Sequence, residues 1–418
     1  MEQYDTMRKT FLAGMAAAMM AFGAINSAAV SNAAPDPSYV AGQIMVKFRD
    51  NGAAAGVLRQ HGLSEGPGIG STGAHLITVP AGRELHLIEA LSRNPAVEYA
   101  EPDHVVTAAT ADEYFPSQYA LQNDGQSFTN TAGTLTVAGG KADADVDAVE
   151  AWGVTTGAGI RVAVLDSGVA NDNPDIHPKV VAHANFTNGE TGDDNYGHGT
   201  HVSGIVAATK DNAVGVAGTC PGCSILDGKV LNDSGVGSSS SLSNGINWAM
   251  NNGAKVINMS LGVRSSRTLE SAVNNAWNKG AVLVAAAGNG GNQTKIYPGA
   301  YANVIAVAAT DNNDAKASFS TYGASWVDLA APGVNVYSTF PNHSFVLEKN
   351  GRAWGYDVGN GTSMSSPIVA ATAALVWSSN PGATPTSVRA KVETTADRIS
   401  GTGTYWAHGR VNADRAVR

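Results

Sequence analysis

From Ala148 to the C-terminus, short apolar runs rich in β-branched residues alternate with helical segments. The runs read IRVAVLD, SILDGKVL, AKVINMSL, AVLVAAAG, NVIAVAAT and WVDLAAPG. Helical spacing follows His198, recurs near 239–252 and 267–279, and begins again near Thr362 as a long helix. A strand that is apolar at nearly every position has no face to offer water, so both faces must be covered. Strands of this kind separated by helices build a parallel sheet between helical layers, an α/β fold. In such sheets chemistry gathers beyond the carboxyl ends of the strands.

The chain ahead of this pattern is organised differently. Between 38 and 107 it reads as strand GQIMVKF, helix AAAGVLRQHG, strand HLITVP, helix ELHLIEALSRN and strand VEYAEPDHVV. That is a small α+β unit. The polar, Gly/Thr/Asp-rich passage from Thr107 to Asp147 reads as a processing linker and an irregular arm. At the N-terminus, Arg8 and Lys9 precede an apolar run from Phe11 to Ile25 and small residues through Ala34. This is the pattern of a secretory signal peptide over 1–34, and it needs nothing before Met7. The run is short for a spanning helix, which takes about 20 apolar residues. The expected protein is secreted and extracellular, with no membrane attachment once the signal is removed.

With 418 residues the chain exceeds one ordinary domain. A hydrophobic share of 43% against 15% charged residues describes a well-buried globular protein rather than a disordered one. The net charge of −9 argues against nucleic-acid binding, which needs clustered Lys and Arg. It leaves carboxylates to hold a hard cation. Cys220 and Cys223 lie in TCPGC, where they either close a small disulfide loop or remain two thiols. Zinc would need further ligands nearby.

Three polar residues sit where a site is expected. Asp166 ends IRVAVL; His198 opens a helix between Gly197 and Gly199; Ser363 starts the helix of NGTSMSSPIVAATAALV. Singly, each has an ordinary explanation as a turn former, a packed histidine or a helix cap. Together, in the order Asp, His, Ser, they fit one arrangement of the catalytic triad. A serine hydroxyl is a poor nucleophile at neutral pH, so an imidazole must take its proton and a carboxylate must hold that imidazole. His201 follows His198 by one helical turn, but no acidic residue lies between them, so the metallopeptidase helix motif is missing.

The windows AVLDSGV, GHGTHVSGIVAA and NGTSMSSPIVAA resemble the active-site motifs of the subtilisin-like serine peptidases. AVNNAWNKGAVLVAAAGN and TTADRISGTGTYWAHGRVNADRAV resemble the thermitase branch of that family. The resemblance covers 112–418. It implies a three-layer domain with a mostly parallel central sheet, preceded by a small α+β propeptide domain at 38–107. It implies Asp166, His198 and Ser363 as the triad, with Asn289 and the Ser363 N–H as oxyanion donors. It implies protein and peptide substrates, paired along Ser260, Leu261 and Gly262, with Gly288 facing them and Gly235 in a second lining segment. Ser239 stands where relatives carry an aromatic residue, so an open pocket is expected, with broad preference for apolar side chains.

The resemblance further implies a structural calcium ion. ATKDNAVGVAG would supply the Asn212 side chain and the carbonyls of Lys210, Val214 and Val216; Asp175 and Asp112 would add carboxylates. This is the oxygen set that calcium takes. In NFTNGETGDDN, Asn185 and Asn188 stand where acidic ligands of a second site belong. The α+β unit resembles a propeptide that occupies the cleft until it is cleaved between about Val106 and Ala111, so the enzyme is a self-processed zymogen and, once mature, a monomer. Two departures stand out. Asp227 interrupts an apolar strand, at a cost unless it finds a partner. Pro341 to Val358 is long and suggests a flap beside the serine. The rival readings are a non-catalytic scaffold and a metal-dependent hydrolase built on His198 and His201.

Overall fold

The computed structural model describes residues 39–104, 112–188 and 191–418. The signal segment and the cleavage window lie outside the described residues. The chain divides into two compact units, Met1–Ala108 and Ala109–Arg418.

In the first unit, β1 (Tyr39–Phe48), α1 (Ala54–Gln60), β2 (Ala74–Thr78), α2 (Glu84–Ser92) and β3 (Val97–His104) follow in order. The sheet is antiparallel, ordered β2-β1-β3. Ile44, Val46 and Phe48 alternate into a core with Leu58, Ile77, Leu87 and Leu91. This is the period-two pattern of a sheet covered on one face.

The second unit opens with a two-stranded ribbon, β4 (Phe128–Thr129) and β5 (Thr136–Val137), and a short helix α3 (Ala148–Trp152). Then come β6 (Arg161–Asp166), β7 (Val180–Asn185), α4 (His198–Ala207), β8 (Ser224–Lys229), α5 (Ser239–Asn251), β9 (Val256–Met259), α6 (Arg267–Asn278) and β10 (Val282–Ala286). The rest is β11 (Val304–Thr310), β12 (Leu329–Pro332), the hairpin β13 (Val336–Thr339) and β14 (Tyr356–Gly359), α7 (Thr362–Ser379), α8 (Pro385–Thr394), β15 (Gly409–Arg410) and α9 (Ala413–Val417). Eight strands form one sheet in the order β15-β12-β11-β10-β9-β6-β8-β7, and its pairings are parallel.

Burial on both faces explains the apolar runs. In β6, Val162 and Val164 enter the core shared with α4 and α7, while Ala163 and Leu165 enter the core under α5 and α6. Val282 and Val284 of β10 divide from Leu283 and Ala285 in the same way. The edge strands β7 and β15 were not evident in the sequence. β7 is half exposed with a polar end, and β15 is only a two-residue pairing.

Asp227 is buried in β8, and its partner is His183 of β7: His183 Nδ1 lies 2.7 Å from Asp227 Oδ2, which also accepts the Val169 N–H at 3.2 Å. Cys220 and Cys223 form a disulfide just before β8. The segment after Pro341 bonds to Asp172, Asn173, Asn195 and Tyr196, so it lies against the approach to His198. The flap expected beside the serine is instead a strap on the histidine side.

Candidate active site

Asp166 is the last residue of β6, the central run read from the sequence, and is buried. Its Oδ1 accepts the Ser167 N–H at 2.7 Å and lies 2.7 Å from His198 Nδ1. That bond requires the proton on Nδ1, which leaves Nε2 of a neutral imidazole as the acceptor. His198 is the first residue of α4, and Gly197 precedes it with φ +95°, a left-handed conformation suited to glycine. Burial pulls the His198 pKa down; the charges of Asp166 and Asp194 and the bond to Asp166 pull it up, and the net shift is upward.

A second carboxylate organises this end of α4. Asp194 is fully buried and accepts from Gly197 N (2.8 Å), Thr200 N (2.8 Å), Thr200 Oγ1 (2.6 Å) and Ser167 Oγ (2.8 Å). Ser167 Oγ in turn accepts the Gly199 N–H at 2.8 Å. Lys229, also fully buried, donates to the carbonyls of Ser167 and Asp193 and to Asp233. The sequence reading gave Ser167 and Lys229 no role, and weighed Asp194 only as an acidic residue near a second cation site. Asp194, placed just ahead of the α4 start, carried a capping signal.

Ser363 lies in the first turn of α7. Its hydroxyl donates to the Ser260 carbonyl at 3.2 Å. Its N–H meets no protein acceptor among the described residues, as expected for the first turn of a helix. Asn289 follows the Ala286 end of β10 by a short turn. Its Oδ1 accepts both the N–H (2.9 Å) and the hydroxyl (3.0 Å) of Thr362. This fixes the amide so that Nδ2, lying against Gly361, has no acceptor among the described residues. Thr362, which also accepts the Gly288 N–H at 3.0 Å, is a further residue whose role the sequence reading passed over.

Two cavities flank the strand end that carries Ser260. One of about 330 Å³ is lined by Tyr196, His198, Gly235, Ser238, Ser260 and Leu261 among others; one of about 750 Å³ is lined by Gly262, Gly288, Asn289, Thr362 and Ser363 among others. Leu261, Gly262 and Val263 are common to both, so they form one cleft. All five residues assigned to substrate line it. Ser238, rather than Ser239, reaches the smaller cavity. His201 stands apart: it is buried, faces the Asp357 carbonyl, packs against Phe340 with the rings tilted at 4.7 Å, and burial drives its pKa down to about 3. It shares no ligand position with His198.

Away from the cleft, Asp112, Asp175 and Asn212 converge. Asp112 accepts the N–H groups of Asp211 and Asn212; Asp175 accepts those of Thr209 and Val216 and the Asn212 amide. Asp211, Ala213 and Gly215 all have φ near +60°, which curls the loop. The carbonyls of Lys210, Val214 and Val216 accept no hydrogen bond among the described residues. Burial, with Asp112 adding to it, pushes the Asp175 pKa up to about 6 against the bonds from Val216, Asn212 and Thr209. Free carbonyls around two buried carboxylates are the oxygen donors a calcium ion takes.

Comparisons with known proteins give the family. The Subtilase family profile matches residues 157–413, and a profile described as Fervidolysin N-terminal prodomain matches residues 25–103. Thermitase of Thermoactinomyces vulgaris is 49% identical over 275 residues, which is 65% of this chain and 94% of that protein. A thermophilic serine proteinase of Bacillus sp. strain AK1 is 38% identical over 91% of this chain and 88% of its own length. Among solved structures, a protease from Pseudoalteromonas arctica superposes with a TM-score of 0.64 at 28% identity, covering 74% of this chain and 99% of its own.

Proposed function

Because the chain belongs to the subtilase family, a serine peptidase preceded by its prodomain, we propose that it is a secreted endopeptidase acting through an acyl-enzyme on Ser363. His198 takes the hydroxyl proton as the Ser363 oxygen attacks the substrate carbonyl, and returns it to the leaving amine. Asp166 holds the imidazole tautomer and stabilises its charged form. Asn289 Nδ2 and the Ser363 N–H receive the developing oxyanion. Water then repeats the sequence to release the acid. The observation that carries this reading is the 2.7 Å bond between Asp166 and the Nδ1 of His198, which leaves Nε2 as the base at the cleft.

The substrate peptide lies along Ser260, Leu261 and Gly262, with Gly288 and Gly235 opposite, and protein and peptide chains with apolar side chains are the substrates. The prodomain is the partner, removed between about Val106 and Ala111 after a signal peptide directs export. One structural calcium ion is held by Asp112, Asp175, Asn212 and the carbonyls of Lys210, Val214 and Val216. It acts by closing the loop after α4, apart from the chemistry. The absence of a basic surface excess, at a net charge of −9, supports a protein with no nucleic-acid partner. A serine-directed organophosphate tests the mechanism. Labelling at Ser363 with loss of casein cleavage supports it, and undiminished cleavage by labelled enzyme overturns it. N-terminal sequencing of active secreted enzyme tests the processing: a retained prodomain would refute it.

A further inference from the structure

Pro341–Gly355 is a closed excursion from the β13–β14 hairpin. Its neck is shut by Phe340 N–H to Gly355 O (2.6 Å) and Gly355 N–H to Pro341 O (3.0 Å). Asn173 Nδ2 clamps the same neck, donating to Phe340 O at 2.9 Å and to Gly355 O at 3.0 Å. Asp172 fixes its first turn through Asn342 N (3.0 Å) and His343 Nδ1 (2.8 Å). From this anchored base the segment reaches the loop that delivers His198. Val346 N–H donates to Asn195 O at 2.9 Å and Leu347 N–H to Tyr196 O at 3.2 Å.

Between these bonds sits Phe345, 3% exposed. A Cβ on Gly197 would lie 2.4 Å from its ring, so the ring covers the Gly197 Cα directly. Phe345 stacks on Phe340 at 5.2 Å and 15°, and Phe340 packs on His201 at 4.7 Å. The rings thus run from inside α4, at His201, back to the residue just before His198. Asp194 holds the same Gly197 by its N–H.

We propose that this segment is a strap that positions His198, with Phe345 and the Val346 N–H as its contact points on the histidine loop. The proposal rests on His198 being the general base. Small displacements of a catalytic group cost turnover steeply, whereas substrate binding along Ser260–Gly262 needs nothing from the strap. Its loss therefore lowers kcat and spares KM.

The test uses mature enzyme from the full chain, with active sites counted by a serine-directed titrant. Phe345→Ala removes the ring. Val346→Pro removes one donor at the first position of a short helix after an extended residue (Phe345 φ −139°, ψ 163°), a place proline accepts. In both, kcat on a peptide anilide falls between about tenfold and a hundredfold with KM within about twofold. Phe345→Leu, which refills much of the contact, recovers most of the loss. Unchanged kcat per active site in both variants, even with lowered thermal stability, overturns the proposal. Should Phe345→Ala not fold, Val346→Pro decides with the same outcomes. A His198→Ala comparator separates the premises: turnover surviving there overturns the general-base reading and the strap with it, whereas loss there with intact turnover in both strap variants overturns the strap alone.

Discussion

Ser260 donates its hydroxyl to the carbonyl of Ser363, 2.8 Å away. That carbonyl needs an outside donor because Pro367, four residues further along α7, has no N–H to give it. Ser260 also accepts from Asn258 Nδ2 at 3.0 Å, and Asn258 Oδ1 accepts from Ser366 Oγ at 2.6 Å. The end of β9 is thereby tied to the first turns of α7. Ser260→Ala leaves a partly buried carbonyl unsatisfied, a cost of about 1–3 kcal/mol. We expect kcat to fall by at least about tenfold, with Ser260→Thr recovering part of it. Steady-state kinetics and urea unfolding check both, and an unchanged kcat in Ser260→Ala would refute the positioning role.

The raised pKa of His198 has opposite consequences for activity and stability. Turnover needs the neutral imidazole, so the acid limb of kcat/KM should lie above the ordinary histidine value of 6.5. Burial opposes the shift, and the bond to Asp166 with the charges of Asp166 and Asp194 outweighs it. The charged pair with Asp166 stabilises the fold fully below the unfolded-state value and loses that contribution as pH rises through the folded one. Asp166→Asn should lower kcat by about 10⁴, by favouring the wrong tautomer. A pH–rate profile with its acid limb below 6.5 would contradict the electrostatic account.

The parts legible in the sequence were those where one residue type answers to one environment. Runs such as VAVL announce burial on both faces, and Asp166, His198 and Ser363 each sit at a boundary of such a run. Thr362 and Lys229 were not legible. Their roles depend on partners far along the chain, such as Thr362 with Asn289 or Lys229 with the Ser167 carbonyl. Asp227 looked like a liability because its partner His183 lies on an edge strand with too weak an apolar pattern to be seen.

The Asp227–His183 pair can be tested by a cycle of substitutions. Burial pushes the Asp227 pKa up to about 6 although His183 opposes it, and the bond to Asp227 raises His183. Both shifts are upward, so the pair favours the fold at low pH and loses that contribution as pH rises through the folded values. His183→Ala leaves a buried carboxylate without its imidazole and should cost about 1–3 kcal/mol at pH 8, below the range for fully buried pairs because His183 is partly exposed. Asp227→Val with His183→Leu should recover most of it. Additive losses in urea unfolding would show the two residues are not coupled.

The Cys220–Cys223 disulfide closes a loop of only four residues. In the chain-entropy view so small a loop contributes about 2 kcal/mol. Both sulfurs are buried beneath Gly157, where a Cβ would lie 2.0 Å from Cys220 Sγ. Cys220→Ala with Cys223→Ala should therefore lower Tm by several degrees while leaving kcat unchanged. A changed kcat at low temperature would give the disulfide a role beyond stability.

Calcium should act on stability and leave chemistry alone. Among the described residues the Asp112 and Asp175 carboxylates hold the loop through N–H groups and the Asn212 amide, and they repel each other. A cation between them would offset that repulsion and could take up the carbonyls of Lys210, Val214 and Val216. A ligand that binds only the folded state stabilises it by about 2.7 kcal/mol at a hundredfold excess over Kd. Tm should therefore rise with calcium and fall in chelator, while initial rates at 25 °C stay the same until the chelated enzyme inactivates. Asp175→Ala should abolish the calcium-dependent rise, because it removes the carboxylate that meets both arms of the loop, at Thr209 and at Val216. Calorimetry in calcium and in chelator decides it: identical Tm values for the unsubstituted enzyme would remove the ion from this loop, and an intact rise in Asp175→Ala would place it elsewhere.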